Sequence, residues 1–286
     1  MSTLIDPYRW SGGLLTAGDS ISLSPGLRVE KGELVDDATL ARHKLHVRAG
    51  KALVSLERIS SVSEWLTDLD SYNISEKESR QILLFLGTIG GISIRRSLTQ
   101  QGEMFMRKAS LLYLGAPPLQ VAVRRSATIK GISSSVFQAM LLLWLVTPAM
   151  ALLLSLVLPT AAIPWLLPSL PVLFMGLVAH EYAHVIILRR YHPAICVLRR
   201  GMRLAILHPP LDMWVEAVTG LVGPLAGAGV SILTSMLVSR ASALPGVLFA
   251  GQAIALLHLA SLLPFYGDGR SLLTLFKRTA HVTSVS

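Results

Sequence analysis

Four apolar stretches dominate the second half of the chain, at about 134–158, 169–188, 215–238 and 245–265. No charged residue occurs from Gly131 to Ala179. Each stretch has ~20 residues or slightly more, enough for a helix to cross ~30 Å of hydrocarbon. The prolines of "TAAIPWLLPSLP" (160–171) separate the first two.

Before Gly131 the pattern is shorter and mixed. "PGLRVEKGELVDD" (25–37) reads as strand and turn, and "KLHVRAGKALVSLE" (44–57) as further strand or helix. "SVSEWLTDLD" (61–70) and "SEKESRQILLFLGTIG" (75–90) read as helices, the second with Ser75 as N-cap and Glu78 completing a capping box. "GISIRRS" (91–97) then reads as a strand. Helix, helix, then β-wing is a winged-helix order.

The expected fold is therefore a polytopic α-helical membrane protein of about four transmembrane helices, preceded by a small α+β, winged-helix-like domain. Residues 1–97 form that soluble domain and 131–286 the membrane domain. Residues 98–130, with Pro117, Pro118 and "VRRSATIK", read as a basic juxtamembrane linker.

Charge sharpens this division. Residues 1–130 hold 17 Lys/Arg and 13 Asp/Glu, as an ordinary soluble module does. Residues 131–286 hold 9 Lys/Arg and only four acids: Glu181, Asp212, Glu216 and Asp268. The net +9 does not point to nucleic acid, because the base of the first half is interspersed with acids. In the second half it clusters beside apolar segments, as juxtamembrane base facing anionic lipid does. The connection 159–168 is uncharged, whereas 189–214 carries Arg189, Arg190, Arg199, Arg200 and Arg203. The tail carries Arg270, Lys277 and Arg278. The positive-inside rule then predicts a multi-pass cell-membrane protein with both termini and the 189–214 loop cytoplasmic. The second and fourth helices run from outside to inside.

Within that loop, "AICVL" and "MRLAIL" flank "RRG" and predict a small hairpin over 191–210 at the cytoplasmic boundary. The first twenty residues lack a basic region followed by an apolar one, so no cleavable signal peptide is expected. The single cysteine, Cys196, excludes an intramolecular disulfide.

The chemistry lies in "GLVAHEYAHVIILRR" (176–190). His180 and His184 are i and i+4, so a helix projects both imidazoles from one face about 6 Å apart. Glu181, ~100° round from His180, can reach a metal-bound water without being a ligand, as in H-E-x-x-H zinc peptidases. Ionisable groups inside an apolar helix are costly and usually functional. Two histidines leave a zinc ion short of ligands. Asp268, in "LLPFYGDGRSLL" (262–273), follows the fourth apolar segment, and the orientation above puts it at a similar membrane depth to the histidine pair. His258 reads as a polar residue facing the bundle interior, and His192 and His208 as solvated. Gly223 and Gly227 read as a small-xxx-small pair that lets helices approach. Asp212 and Glu216, flanking Trp214, read as interface anchors.

"AHEYAH" on one apolar helix, "GPLAGAG" (223–229) on the next and "SLLPFYGDG" (261–269) after a third resemble the site-2 protease family of intramembrane zinc metalloproteases. The resemblance covers about residues 134–275 and keeps motif order and spacing. It implies one zinc ion held by His180, His184 and Asp268, with Glu181 as general base. Gly227 and Ser261 stand where the family usually has asparagines thought to hold the substrate strand. The order of elements in "SSVSEWLTDLDSYNISEKESRQILLFLGTIGGISIRR" resembles the winged-helix recognition elements of enzymes that mature ribosomally made, modified peptides. Those bind a leader peptide as an added edge strand.

The expected function is thus an intramembrane zinc metallopeptidase acting near the cytoplasmic face. Its substrate would be a modified peptide's leader or a membrane-anchored transcription regulator. A non-catalytic metal-binding membrane sensor is the reading from another class. Oligomeric state is not legible in the sequence.

Overall fold

Short runs of β-prone residues broken by glycine turns generate the strands of the N-terminal region. The computed structural model describes residues 4–10, 13–16, 19–57, 60–97, 99–102, 122–157, 166–242, 244, 246–264, 268–270 and 272–273. Two compact units divide the chain: Met1–Ser126 with Cys196–Leu207, and Ala127–Ile195 with His208–Ser286.

In the first unit β1 (Leu4–Trp10) pairs antiparallel with β2 (Gly13–Thr16). A meander follows, formed by β4 (Leu27–Glu30), β5 (Glu33–Asp36) and β6 (Ala41–Lys44). Lys31 and Gly32 both have positive φ, 49° and 81°, the requirement of the two-residue hairpin turn that joins β4 to β5. Residues 44–57, left open between strand and helix by the sequence, contain α1 (Val47–Ser55). α2 (Val62–Ser71) and α3 (Glu76–Ile89) follow. Both begin with full capping boxes, Ser61 with Glu64 and Ser75 with Glu78. Each box satisfies two backbone N–H groups that the helix itself cannot.

The strand expected after α3 is β8 (Ile92–Arg95), which pairs antiparallel with β3 (Ser20–Leu23). β3 also pairs with β7 (Ser60–Ser61) and so is the middle strand of its sheet. α1 to α3 and this sheet enclose a core that includes Ile21, Leu34, Leu53, Leu56, Trp65 and Leu86. The indole of Trp65 is fully buried and donates to the Ala52 carbonyl at 3.0 Å, so its one polar atom is satisfied.

The predicted hairpin forms as β10 (Cys196–Arg200) and β11 (Arg203–Leu207). Gly201, at φ 61°, takes the first position of its two-residue turn. Its third strand was not expected: β9 (Ala122–Ser126), inside the stretch read as linker, pairs antiparallel with β10. Arg124 of β9 is buried and forms an ion pair with Asp36 of β5. Burial pushes the Asp36 carboxyl up, but the Arg124 hydrogen bond and charge, with Thr39 and the Ala38 N–H, hold it below its ordinary range.

The second unit is helical. α4 (Ile129–Ala139) is capped by Thr128, whose side chain accepts from the Gly131 N–H. α5 (Leu141–Val157) follows after a bend of 49°. Then come α6 (Leu166–Leu188), α7 (Met213–Ser242) and α8 (Gly246–Ala260). α6 and α7 are long and apolar enough to cross a membrane, and the bent α4–α5 pair makes a third candidate span. The fourth apolar stretch differs from the expectation. Its helix, α8, has 15 residues, about 22 Å at 1.5 Å per residue, short of a full crossing. After Ala260 the backbone tightens into turns, Ser261 N–H to the His258 carbonyl and Leu263 N–H to Ala260. Pro264 disfavours α-helix at the residue before it.

Candidate metal centre

α6 is apolar around almost its whole circumference, and among His, Asp, Glu, Lys and Arg it carries just His180, Glu181 and His184. Both imidazoles are buried. Their rings stand edge to face with centroids 4.9 Å apart, as i and i+4 spacing requires.

Asp268 is brought back to them by a reversal after α8. The Gly269 N–H donates to the Ser261 carbonyl at 3.1 Å, which ties the backbone beside Asp268 to the end of α8. A Cβ on Gly269 would run into the backbone of Leu262 and Leu263, so the Asp-Gly pair suits this return. Asp268 Oδ2 then lies 3.2 Å from His180 Nε2, and Oδ1 lies 3.6 Å from His184 Nε2. The three residues offer ligand atoms that all lie within 4.8 Å of one another, and the group could hold a metal ion.

The remaining nitrogens show how the ligands are oriented. His184 Nδ1 lies 2.7 Å from the Thr219 carbonyl of α7, which can only accept. The proton of neutral His184 is therefore on Nδ1, and Nε2 keeps its lone pair for a metal. His180 Nδ1 lies 3.2 Å from Nδ1 of His258 on α8. The donor set fits a divalent cation of borderline hardness: two imidazole nitrogens with a defined outward face and one carboxylate. Glu181 is partly buried, next in sequence to His180, and lies within electrostatic reach of His180 and Asp268.

The small residues of α7 acquire specific roles. A Cβ on Gly223 would collide with the His184 imidazole, and one on Gly227 would lie 2.7 Å from His258 Nδ1. These glycines make room for two imidazoles as well as for a neighbouring helix. Ser261, which stands where the resemblance expects asparagine, has its Oγ 3.1 Å from Asp268 Oδ2 and 2.7 Å from the His258 carbonyl.

The structure thus gathers His180, His184 and Asp268, with Glu181 alongside. It adds Thr219 and His258, which the sequence reading did not place among the ligands or their partners. It also sets Ser261, noted there only as standing in place of a family asparagine, against Asp268. Thr219 acts through its backbone, which leaves no mark in sequence. His258 was legible as a polar residue in an apolar helix, and it does face the interior, at 6% exposure. His192 and His208, read as solvated, are half-buried, and His208 Nδ1 lies 2.8 Å from the Pro209 carbonyl. Trp214, between Asp212 and Glu216, is 63% exposed. Compared with protein-family models, curated proteins and solved structures, the chain gave no match.

Proposed function

We propose that the chain is an intramembrane metallopeptidase of the site-2 protease kind, with His180, His184 and Asp268 holding one zinc ion and Glu181 serving as general base. The observation that carries this reading is the convergence of Asp268 on both Nε2 atoms of an H-E-x-x-H helix. A site that only stores or senses a metal has no use for Glu181. A peptidase needs it.

Zinc in such a site supplies an acidified water, with a pKa lowered towards ~7, and polarises the scissile carbonyl. Glu181 accepts the proton of the attacking water and passes it to the departing amine, so no free proton crosses the apolar surroundings. His184, oriented by the Thr219 carbonyl, and Asp268, oriented by Ser261, keep their ligand atoms aimed at one point. A helical substrate hides its carbonyls in its own hydrogen bonds, so the scissile segment is presented extended.

The membrane placement proposed is the multi-pass one, with both termini and the site towards the cytoplasm. The proposed substrate is the leader of a modified peptide, recognised through the N-terminal domain. Cleavage of a membrane-anchored transcription regulator is the competing substrate class.

The test compares wild type with Glu181→Gln in a peptide-cleavage assay with products identified by mass. Wild type cleaves, while the variant keeps its metal and does not. Undiminished cleavage by Glu181→Gln would remove the glutamate from its proposed role. A metal-replete wild type that cleaves no candidate of either class would favour the sensor reading.

A further inference from the structure

Among the described residues of the second unit, His258 is the one buried imidazole that the proposed chemistry does not use. It lies on α8 with Nδ1 3.2 Å from Nδ1 of His180, the two rings tilted by 33° with centroids 5.2 Å apart. It is held closely. A Cβ on Gly227 of α7 would lie 2.7 Å from its Nδ1, and a Cβ on Gly176 of α6 would lie 2.8 Å from its Nε2. Bare backbone on two helices is therefore a condition for the ring to occupy this place.

A contact between two Nδ1 atoms needs one N–H and one lone pair. His180 turns Nε2 towards Asp268, and a metal there requires the Nε2 lone pair. The proton of neutral His180 then resides on Nδ1, and His258 must accept it. His258 in turn carries its own proton on Nε2. That nitrogen is buried and has no hydrogen-bond partner among the described residues. A buried donor left unpaired is unfavourable, and the protein tolerates it here in exchange for an acceptor against His180.

We infer that His258 is a positioning residue for the metal centre: by accepting the Nδ1 proton of His180 it fixes that ligand's tautomer and aims Nε2 at the metal. The inference rests on the reading of His180, His184 and Asp268 as metal ligands. His184 is served in the same way by the Thr219 carbonyl, so the two histidine ligands are oriented by one backbone and one side-chain acceptor. Removal of such an acceptor typically costs 10–100-fold in metal affinity.

Zinc affinity of the full-length chain in detergent, measured by competition with a chromophoric chelator, tests this in His258→Leu and His258→Asn. The absorption of the cobalt-substituted forms gives a second readout. Leucine keeps bulk without an acceptor, while asparagine is smaller but places Oδ1 near the position of Nδ1. Positioning predicts a 10–100-fold loss of zinc affinity and an altered cobalt spectrum for leucine, with asparagine close to wild type. Packing alone predicts the reverse order and would overturn the inference. If His258→Leu does not fold, His258→Ala is measured instead. The same loss is expected, and wild-type affinity would overturn the inference. Zinc in the wild type with an unaffected leucine variant sinks only the role of His258. A wild type that binds no zinc overturns the metal-site reading and this inference with it.

Discussion

Asp268 Oδ2 lies 3.2 Å from His180 Nε2, although His180 sits within α6 and Asp268 follows α8, more than eighty residues further along the chain. A carboxylate in mainly apolar surroundings is expensive unless paired or bound to a metal. Here it faces two imidazoles at once. That arrangement is of little use to a lipid-facing helix bundle and well suited to a cation.

Gly223 faces His184 so closely that any side chain must displace the imidazole. Gly223→Ala is expected to lower zinc affinity by at least tenfold and to abolish cleavage. Gly229→Ala, where a Cβ meets nothing within 4 Å, is its control and keeps both. Chelator competition on the two purified variants makes the comparison. Equal affinities would contradict the packing assigned to α6 and α7.

Ser261 places its hydroxyl 3.1 Å from Asp268 Oδ2 and 2.7 Å from the His258 carbonyl. Ser261→Ala removes a hydroxyl whose single proton is shared between the Asp268 carboxylate and the His258 carbonyl. The loss therefore falls at or below about 1.5 kcal/mol, the lower end for a hydrogen bond to a charged group. The expected result is weaker zinc binding, by up to about tenfold, with wild-type folding. Titration with a zinc chelator, next to thermal unfolding of the metal-free forms, separates the two effects.

The Asp36–Arg124 pair gives a pH dependence outside the membrane segments. The folded carboxyl of Asp36 titrates below its unfolded value, so its contribution is present above the unfolded pKa. It is lost as pH falls through the folded pKa, so acid should unfold the first unit more readily. Arg124→Met leaves a largely buried carboxylate unpaired and should cost about 3–5 kcal/mol at neutral pH. Asp36→Asn should flatten the loss of stability below about pH 4. Denaturant unfolding across pH checks both, and an unchanged acid limb in Asp36→Asn would refute the linkage.

Legibility in the sequence followed the range of each signal. The capping box at Ser75, the Gly201 hairpin and the histidine pair of α6 are local patterns, and all were readable; the equally local box of Ser61 and Glu64 emerged only in the structure. β9 was not, because its partner β10 lies far along the chain and "VRRSATIK" carries two arginines where a strand is usually apolar. Arg124 is buried only because Asp36, on a distant strand, meets it. The apolar run at 245–265 promised a longer helix than α8, since hydropathy does not register the turns that begin at Ser261. The roles of Gly223 and Gly227 also escaped, because a glycine's absent side chain matters only once its neighbour, His184 or His258, is known.

Metal stoichiometry in the purified full-length chain tests the central claim most directly. Elemental analysis should find about one zinc per chain in the wild type and in Glu181→Gln, since the glutamate is not a ligand. His180→Ala, His184→Ala and Asp268→Ala should each fall to near zero under the same conditions. A full complement of zinc in Asp268→Ala would contradict the account, because the third ligand would then lie elsewhere.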